Sequence, residues 1–560
     1  MSLAPIFSTE PWALALIDVN SDHNTASISG EGSPRAFSPS GGTLNWHGSS
    51  GLSPRAGPSF IWKGQIYSSW HVPAGHMSAN RRSDLELSWR SHKGEMSGSL
   101  VQKSLLQRPE GSDTDSDSAK QGKFIDWLVH SFQELGQDEL QDTDAAAGGL
   151  VRRDWKRAEA IWLNPDPNEP RIELIIRMAQ DQRLLETLDS ISQSPRRILL
   201  RVRENAPVSR IRELDAACLR NYVRLPGRNA IEKAGTRQQL LSVQRRASHD
   251  TLENRITAWT LNNLHVRSER WRRLHGSRSK SGTRYRAVSK LSRSALNYLN
   301  SSFISEARYS TLSHPVPANY PLMMDPRYKR VYRAYRELLR YDKIKDESWT
   351  WRRVLWSEGV TQLLSCTLRR LLPETYSSRP YYRSEPDRGK WLLSPASAGP
   401  FSTPWGPLVV IDAHESDLKP DGTLHPPDGS NDPIWSSIGV LGCDLILWWP
   451  DNNRFFPVWA NLWTGNNENW LKLLANAARA IAEFRRHLSE VRSVATISRG
   501  LIIGTSLNGS AVDIDIASSE GATAVGIPFP MELDTQDVGA FSKLIETLEQ
   551  AIDLAVDLPR

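Results

Sequence analysis

Residues 237–264 read RQQLLSVQRRASHDTLENRITAWTLNNL. A basic, strand-like segment runs straight into a helix there. Asp250 and Thr251 stand where side-chain oxygens can take up the free N–H groups of a first turn, and Glu253 lies where a carboxylate complements the helix dipole. Asp250, Glu253, Asn254 and Arg255 are therefore expected to act structurally, as caps and as an Arg–carboxylate pair fixing helix to strand, with no catalytic part.

Outward from this start the pattern stays mainly helical. PRIELIIRMAQDQRLLETLDSISQSP repeats its apolar residues at threes and fours until Pro195, RRILLRVRENAPV reads as a strand, and RIRELDAACLRNYVRLPG is again amphipathic. DPRYKRVYRAYRELLRYDKI and WTWRRVLWSEGVTQLLSCTLRRLL predict long helices ending at Pro373, and YSSRPYYRSEPDRGK reads as a linker. From about Trp391 the periodicity becomes α/β. GPLVVIDAHE, GVLGCDLILWWP, FFPVWANLW, SRGLIIGTSLNG and AVDIDIASSEGATAVGIPFP predict strands, and the segments beginning at Asn469 and Asp537 predict helices. Residues 1–150 are rich in Ser, Gly and Pro and predict small β elements on long loops, with the acidic run at 112–117 as a disordered connection. The expected architecture is α+β and multidomain: a β-rich region at 1–155, a basic, mainly helical domain at 156–375 and an α/β domain at 376–560.

Composition narrows the function classes. A chain of 560 residues exceeds one core. No apolar run is long enough to span a membrane and no secretory signal pattern opens the sequence, so a cytoplasmic protein is expected. Cys218, Cys366 and Cys443 lie far apart with no CxxC, which argues against a disulfide framework or a structural zinc site. No glycine-rich phosphate loop, GxSxG or HExxH occurs, so the chain carries no nucleotide-hydrolysis machinery of its own. Charge is uneven: residues 196–293 hold 24 Lys plus Arg against 7 Asp plus Glu, a net of +17, whereas 400–560 hold 10 against 21, a net of −11. Clustered Arg is the footprint of a polyanion site, and both nucleic acid and an acidic protein partner fit it.

The segment 237–264 resembles the conserved domain that precedes the nuclease in McrC-type restriction proteins, where a basic strand leads into Asp-Thr-x-Glu-Asn-Arg and a helix. LLETLDSISQSPRRILLRVRENAPVSRIRELDAACLRNYVRLPG upstream and DPRYKRVYRAYRELLR downstream resemble the same domain, extending the likeness over roughly 160–375. The resemblance implies a subunit of an antiviral restriction system that docks onto an McrB-like AAA+ GTPase and acts with it on DNA. Arg245, Arg246, Arg270, Arg272 and Arg273 are the first candidates for holding DNA or the motor.

The resemblance also implies a C-terminal PD-(D/E)XK nuclease fold, in which one strand delivers an Asp and the next an acid, a spacer and Lys, converging on Mg²⁺. In GCDLILWWPDNNRFFPVWANLW the first Asp is Asp444. Ala460 stands where the acid belongs and Leu462 where the Lys belongs. A pseudonuclease with no metal or other cofactor is therefore expected. The alternative is an active Mg²⁺-dependent endonuclease rearranged around Asp444, Asp412 and Glu415, with His414 in place of Lys, should the strand VVIDAHESD lie beside Asp444. Asp513 and Asp515 are read as the wet face of an edge strand, and Trp448, Trp449, Trp459 and Trp463 as core and partner surface.

Overall fold

The computed structural model describes residues 6–8, 10–16, 35–39, 43–47, 55–71, 85–91, 94–100, 117–136, 150–163, 173–275, 282–307, 309–372, 380–393, 399–413, 432–462, 467–506, 513–530 and 538–556. It shows a mixed α/β protein with a β-rich N-terminal region, a helical middle and a C-terminal part built on a β-sheet. The three consecutive domains expected from the sequence give way to two compact units. Ile172–Lys343 is one, and Met1–Arg171 together with Ile344–Arg560 is the other.

The unit Ile172–Lys343 is a helical body with a two-stranded antiparallel ribbon. Strands Ile198–Pro207 and Gln239–Ser248 pair along their full length, from Ile198 opposite Ser248 to Pro207 opposite Gln239. Between them the chain forms the short helices Ala216–Arg224 and Ala230–Ala234 at the ribbon's tip. Asp215 starts the first of these, accepting the N–H groups of Ala217 and Cys218 at 3.1 and 2.9 Å. The body packs Leu252–His275, Thr283–Leu299 and Pro326–Thr350 around Ile256, Leu261, Leu264, Leu291, Val331 and Leu338. Buried residues recur at three or four on each helix, as in Leu261 and Leu264, Val288, Leu291 and Ala295, and Val331, Tyr335 and Leu338, so the spacing in sequence set the core.

In the second unit a sheet runs in the order Phe401–Thr403, Gly406–Asp412, Leu445–Trp449, Arg454–Asn461, Arg499–Ser506, Ala522–Pro530, Asp515–Ser519. The first four strands form an antiparallel meander. Arg454–Asn461 is parallel to Arg499–Ser506, reached through the helix Asn467–Glu490, because parallel neighbours need a crossover. Every residue of Leu445–Trp449 is buried, so both faces of the sheet are covered and the strand reads as a continuous apolar run. Leu445, Leu447 and Trp449 face a core shared with the helix Arg352–Leu371; Ile446 and Trp448 face one shared with Asn467–Glu490. Tryptophan fills these cores: Trp356, Trp391, Trp448, Trp449, Trp459 and Trp470 are each almost fully buried, and burying ~150–250 Å² apiece explains the chain's richness in that residue. Gly500 is required by the packing, since a Cβ there would lie 2.6 Å from the Trp459 ring.

Three sequence expectations are corrected. Residues 112–116 of the acidic run lie outside the described residues, and Asp117 opens a 20-residue helix, Asp117–Gly136, in a stretch read as strands and loops. Its Phe124, Leu128, Val129 and Phe132 are buried, an i, i+4, i+5, i+8 face. The expected linker, residues 376–390, contains the strand Tyr381–Asp387, which pairs with Leu150–Arg152 and with the strand Lys390–Leu393 that follows it. They are held by burial of Tyr382, whose hydroxyl donates to Gln362 at 2.6 Å. The helix Arg352–Leu371, assigned by its sequence to the basic middle domain, belongs to the sheet-bearing unit. It is buried from Arg352 through Leu368, and its Trp356 indole donates to the Ile503 carbonyl at 3.2 Å. Asp515 lies on an edge strand as expected, but on its half-buried face rather than its wet one: it accepts the Trp470 indole N–H at 2.9 Å, and Ile516 stands exposed instead. Trp448, Trp449 and Trp459 are core, and Trp463 lies outside the described residues.

Candidate functional site

The strand carrying Asp412 does lie beside the one following Asp444. Asp412 is opposite Leu445, and the Ala413 N–H donates to the Asp444 carbonyl at 3.1 Å. Asp444 is 1% exposed. Its Oδ2 accepts the Ala460 backbone N–H at 2.7 Å, and its Oδ1 accepts the Ser357 hydroxyl at 3.1 Å. The position expected to supply a second acid thus supplies a main-chain donor, and the Ala460 and Leu462 side chains lie in the apolar core. Asp444 ties two sheet strands to the helix Arg352–Leu371, and each of its oxygens has a protein donor.

Two buried charges at this corner went unread in the sequence. Glu358 follows Ser357 on the same helix, and its Oε2 accepts the N–H groups of Trp391 and Leu392 at 3.1 and 2.7 Å. Burial pushes its carboxyl up to about 7, with the Asp412 charge adding to the rise and Lys390 and the two N–H groups opposing it. Lys390 is itself buried. The signal available in the sequence was a single Ser-Glu-Gly inside an apolar helical run, where an acid has to be buried or has to break the pattern. Among the described residues no three His, Cys, Asp or Glu side chains are placed to hold a metal ion; Glu415 and His414 lie outside them.

The other candidate is the ribbon. Arg201 stands directly opposite Arg245, an arrangement that is unfavourable without a counter-charge. Glu213 supplies it, bonding Arg201 on one side and Arg245 at 3.3 Å on the other. Arg203 meets Asp215 at 2.6 Å, and Arg246 meets Glu204 at 3.2 Å. The N–H groups at the tip and Arg203 hold the Asp215 carboxyl well below the usual carboxylate range. Among these arginines stand apolar side chains with no cover: Leu199 is 64% exposed, Val223 72% and Ile231 62%, with Ile198, Leu200, Leu214 and Leu219 also exposed. Of the other arginines singled out, Arg272 pairs with Glu269, while Arg270 and Arg273 stand exposed on Leu252–His275.

The Asp-Thr-x-Glu-Asn-Arg residues fasten the ribbon at its base. Asn254, fully buried, donates through Nδ2 to the carbonyls of Arg196 at 2.7 Å and His249 at 2.8 Å, which flank the two strands. Its Oδ1 accepts the Tyr328 hydroxyl at 2.8 Å, and that hydroxyl accepts the Arg196 N–H at 2.8 Å. Thr251 rather than Asp250 is the helix cap, accepting the Asn254 N–H at 3.3 Å. Asp250 instead takes a two-bond fork from Arg255 at 2.6 and 2.8 Å, which raises the Arg255 pKa. Glu253 is buried and accepts from Asn319 at 2.8 Å. Asn254 thus bonds both ends of the ribbon, while Asp250, Glu253 and Arg255 are engaged in the turn and helix beside it.

A family model described as a domain of unknown function (DUF2357) matches residues 166–335, under a third of the chain and nearly coincident with the unit Ile172–Lys343. No curated protein matches the chain.

Proposed function

We propose that this chain is a cytoplasmic, McrC-like subunit of a restriction-type antiviral defence system, docking onto an AAA+ motor through the ribbon and holding DNA with its basic helical unit, without cutting it. The observation that carries this reading is the ribbon surface. Solvent-exposed leucine, valine and isoleucine side chains lie among arginines whose charge is partly met by the chain's own carboxylates. Phosphate binding needs no such apolar residues, whereas the core of a protein interface does. The base network supports the same reading, because a docking element has to be presented in one orientation. No cofactor is needed in this account.

The test is co-expression with an McrB-like AAA+ GTPase. Leu199→Ser, Val223→Ser and Ile231→Ser together are expected to abolish comigration and any stimulation of nucleotide hydrolysis while leaving the chain's own melting curve in place. Unchanged comigration would sink the reading.

A second reading, an active Mg²⁺-dependent endonuclease, draws on one specific observation: Glu358 and Asp412 feel each other's charge close to Lys390 and on the helix that also bonds Asp444. In that case Asp444 and Asp412 would hold the ion, with Glu415 where the chain brings it near, and the ion would polarise the phosphodiester. Against it stands the engagement of each Asp444 oxygen by a protein donor.

A further inference from the structure

The helix Pro326–Thr350 carries a basic feature separate from the arginines singled out in the sequence. Lys329, Arg333, Arg336, Arg340 and Lys343 are all exposed and follow one another at four, three, four and three residues. At 3.6 residues per turn these five fall within about 80° of arc and extend over about 21 Å. Between residues 329 and 343 no apolar side chain enters that arc. The opposite side, with Tyr328, Val331, Tyr335 and Leu338, is buried in the helical body.

The carboxylates around the row are engaged elsewhere. Glu337 pairs with Arg177, Asp342 with Arg267 at 2.5 Å, Asp325 with Arg327 at 3.0 Å and Asp181 with Arg330 at 3.4 Å. The side chains of Lys329, Arg333, Arg336 and Lys343 have no hydrogen-bond or ion-pair partner among the described residues. Like charges at three and four residues repel along a helix, and a polyanion laid along the row relieves that repulsion.

We propose that this row is a track for the phosphate backbone of duplex DNA. The proposal rests on the DNA-binding part of the reading above and gives it a place. A straight file of cations with no apolar centre lacks what a protein interface is built on, and it matches a rod whose charge recurs every ~1.7 Å of its axis. Arg267, one turn before Arg270, bonds Asp342 one residue before Lys343.

The experiment uses the full chain and a fluorescent duplex of arbitrary sequence, with affinity measured across a salt titration. Removing four phosphate contacts in Lys329→Gln, Arg333→Gln, Arg336→Gln, Lys343→Gln is expected to lower the slope of log affinity against log salt by about 3 to 4, at ~0.9 per contact, equally for two unrelated sequences. The control removes equal charge at the ribbon's tip, through Arg220→Gln, Arg224→Gln, Arg228→Gln and Arg237→Gln, and is expected to change the slope by no more than about 1. An unchanged slope in the first variant, or an equal loss in the control, overturns the proposal. A wild-type slope combined with lost comigration of the motor would assign the row to an acidic protein and overturn it as well. A wild-type chain that binds no duplex removes both the track and the DNA-binding part of the reading, while leaving ribbon docking intact. On the unaltered chain, duplex is expected to protect Lys329 and Lys343 from an amine-acetylating reagent; equal modification with and without duplex contradicts the track.

Discussion

In the ribbon, arginines stand in water and share carboxylates from their own chain; at the Asp444 corner, Glu358, Lys390, Asp412 and Asp444 are buried, and Glu358 and Asp444 accept hydrogen bonds from the protein itself. The same residue types do different work in the two places. Exposed ion pairs are worth little to stability, roughly 0–1 kcal/mol, and exchange readily for a partner's charges. Buried charges are costly unless bonded, so once bonded they fix geometry and leave little for a ligand to gain. The sheet around Asp444 is thus organised as a core, whereas the ribbon keeps its charged and apolar side chains in water.

The contrast can be broken first at the ribbon's base. Asn254→Leu removes a buried amide, leaving the Arg196 and His249 carbonyls without its N–H donors and the Tyr328 O–H without its acceptor. At ~1–3 kcal/mol for each orphaned group, a loss of about 3–5 kcal/mol is expected, read by denaturant unfolding, with protease cuts appearing within residues 196–249. A variant as stable as the parent would show that the ribbon is not fastened there.

Glu358 gives the next largest effect, and its sign is opposite to that of an ordinary salt-bridged acid. Its folded pKa, about 7, lies above the unfolded value near 4.5, so the folded state keeps the proton over that window. Stability therefore falls as pH rises from about 4.5 to 7, and the penalty is complete above 7. At ~1.4 kcal/mol per pKa unit, Glu358→Gln is expected to be more stable than the parent by about 3 kcal/mol at pH 8, with the gap closing toward pH 4.5. A gap that stays constant with pH would place the carboxylate in a different environment.

Asp444→Ala sharpens the comparison from the other side. It leaves the Ala460 N–H buried without its acceptor, for an expected loss of about 1–3 kcal/mol in thermal or denaturant unfolding. The smallest effect is expected for Asp215→Ala at the ribbon's tip. The amides of Ala217 and Cys218 should exchange faster with solvent while the global melt stays put.

Much of this was legible in the sequence where local chemistry dominates. The strand-to-helix passage at Thr251, the ribbon strands, the apolar strands around Asp444 and the edge position of Asp515 all follow from periodicity and capping residues. What escaped depends on distant partners. The helix Asp117–Gly136 sits in a stretch whose Ser and Gly content masked its apolar face, and the strand Tyr381–Asp387 exists because Leu150–Arg152 pairs with it from far away in the chain. The insertion of Ile172–Lys343 into a unit made from both flanking segments leaves no local mark. At the site, the replacement of an acid and a lysine by Ala460 and Leu462 was plain, but the engagement of Asp444 by Ser357 needed a residue 87 positions away. Arg245 and Arg246 were legible as candidate binding cations, yet their pairing with Glu213 and Glu204 depends on where the chain folds back, which composition does not reveal.

The central claim is that the Asp444 corner holds the fold together and does not cut DNA. The decisive test is Mg²⁺-dependent cleavage of duplex DNA by the chain, alone and mixed with the AAA+ motor proposed above, comparing the parent with Asp444→Asn. The account expects any cleavage in the mixture to be the same for both proteins, and none from the purified chain alone. Cleavage by the purified chain that disappears in Asp444→Asn would contradict it.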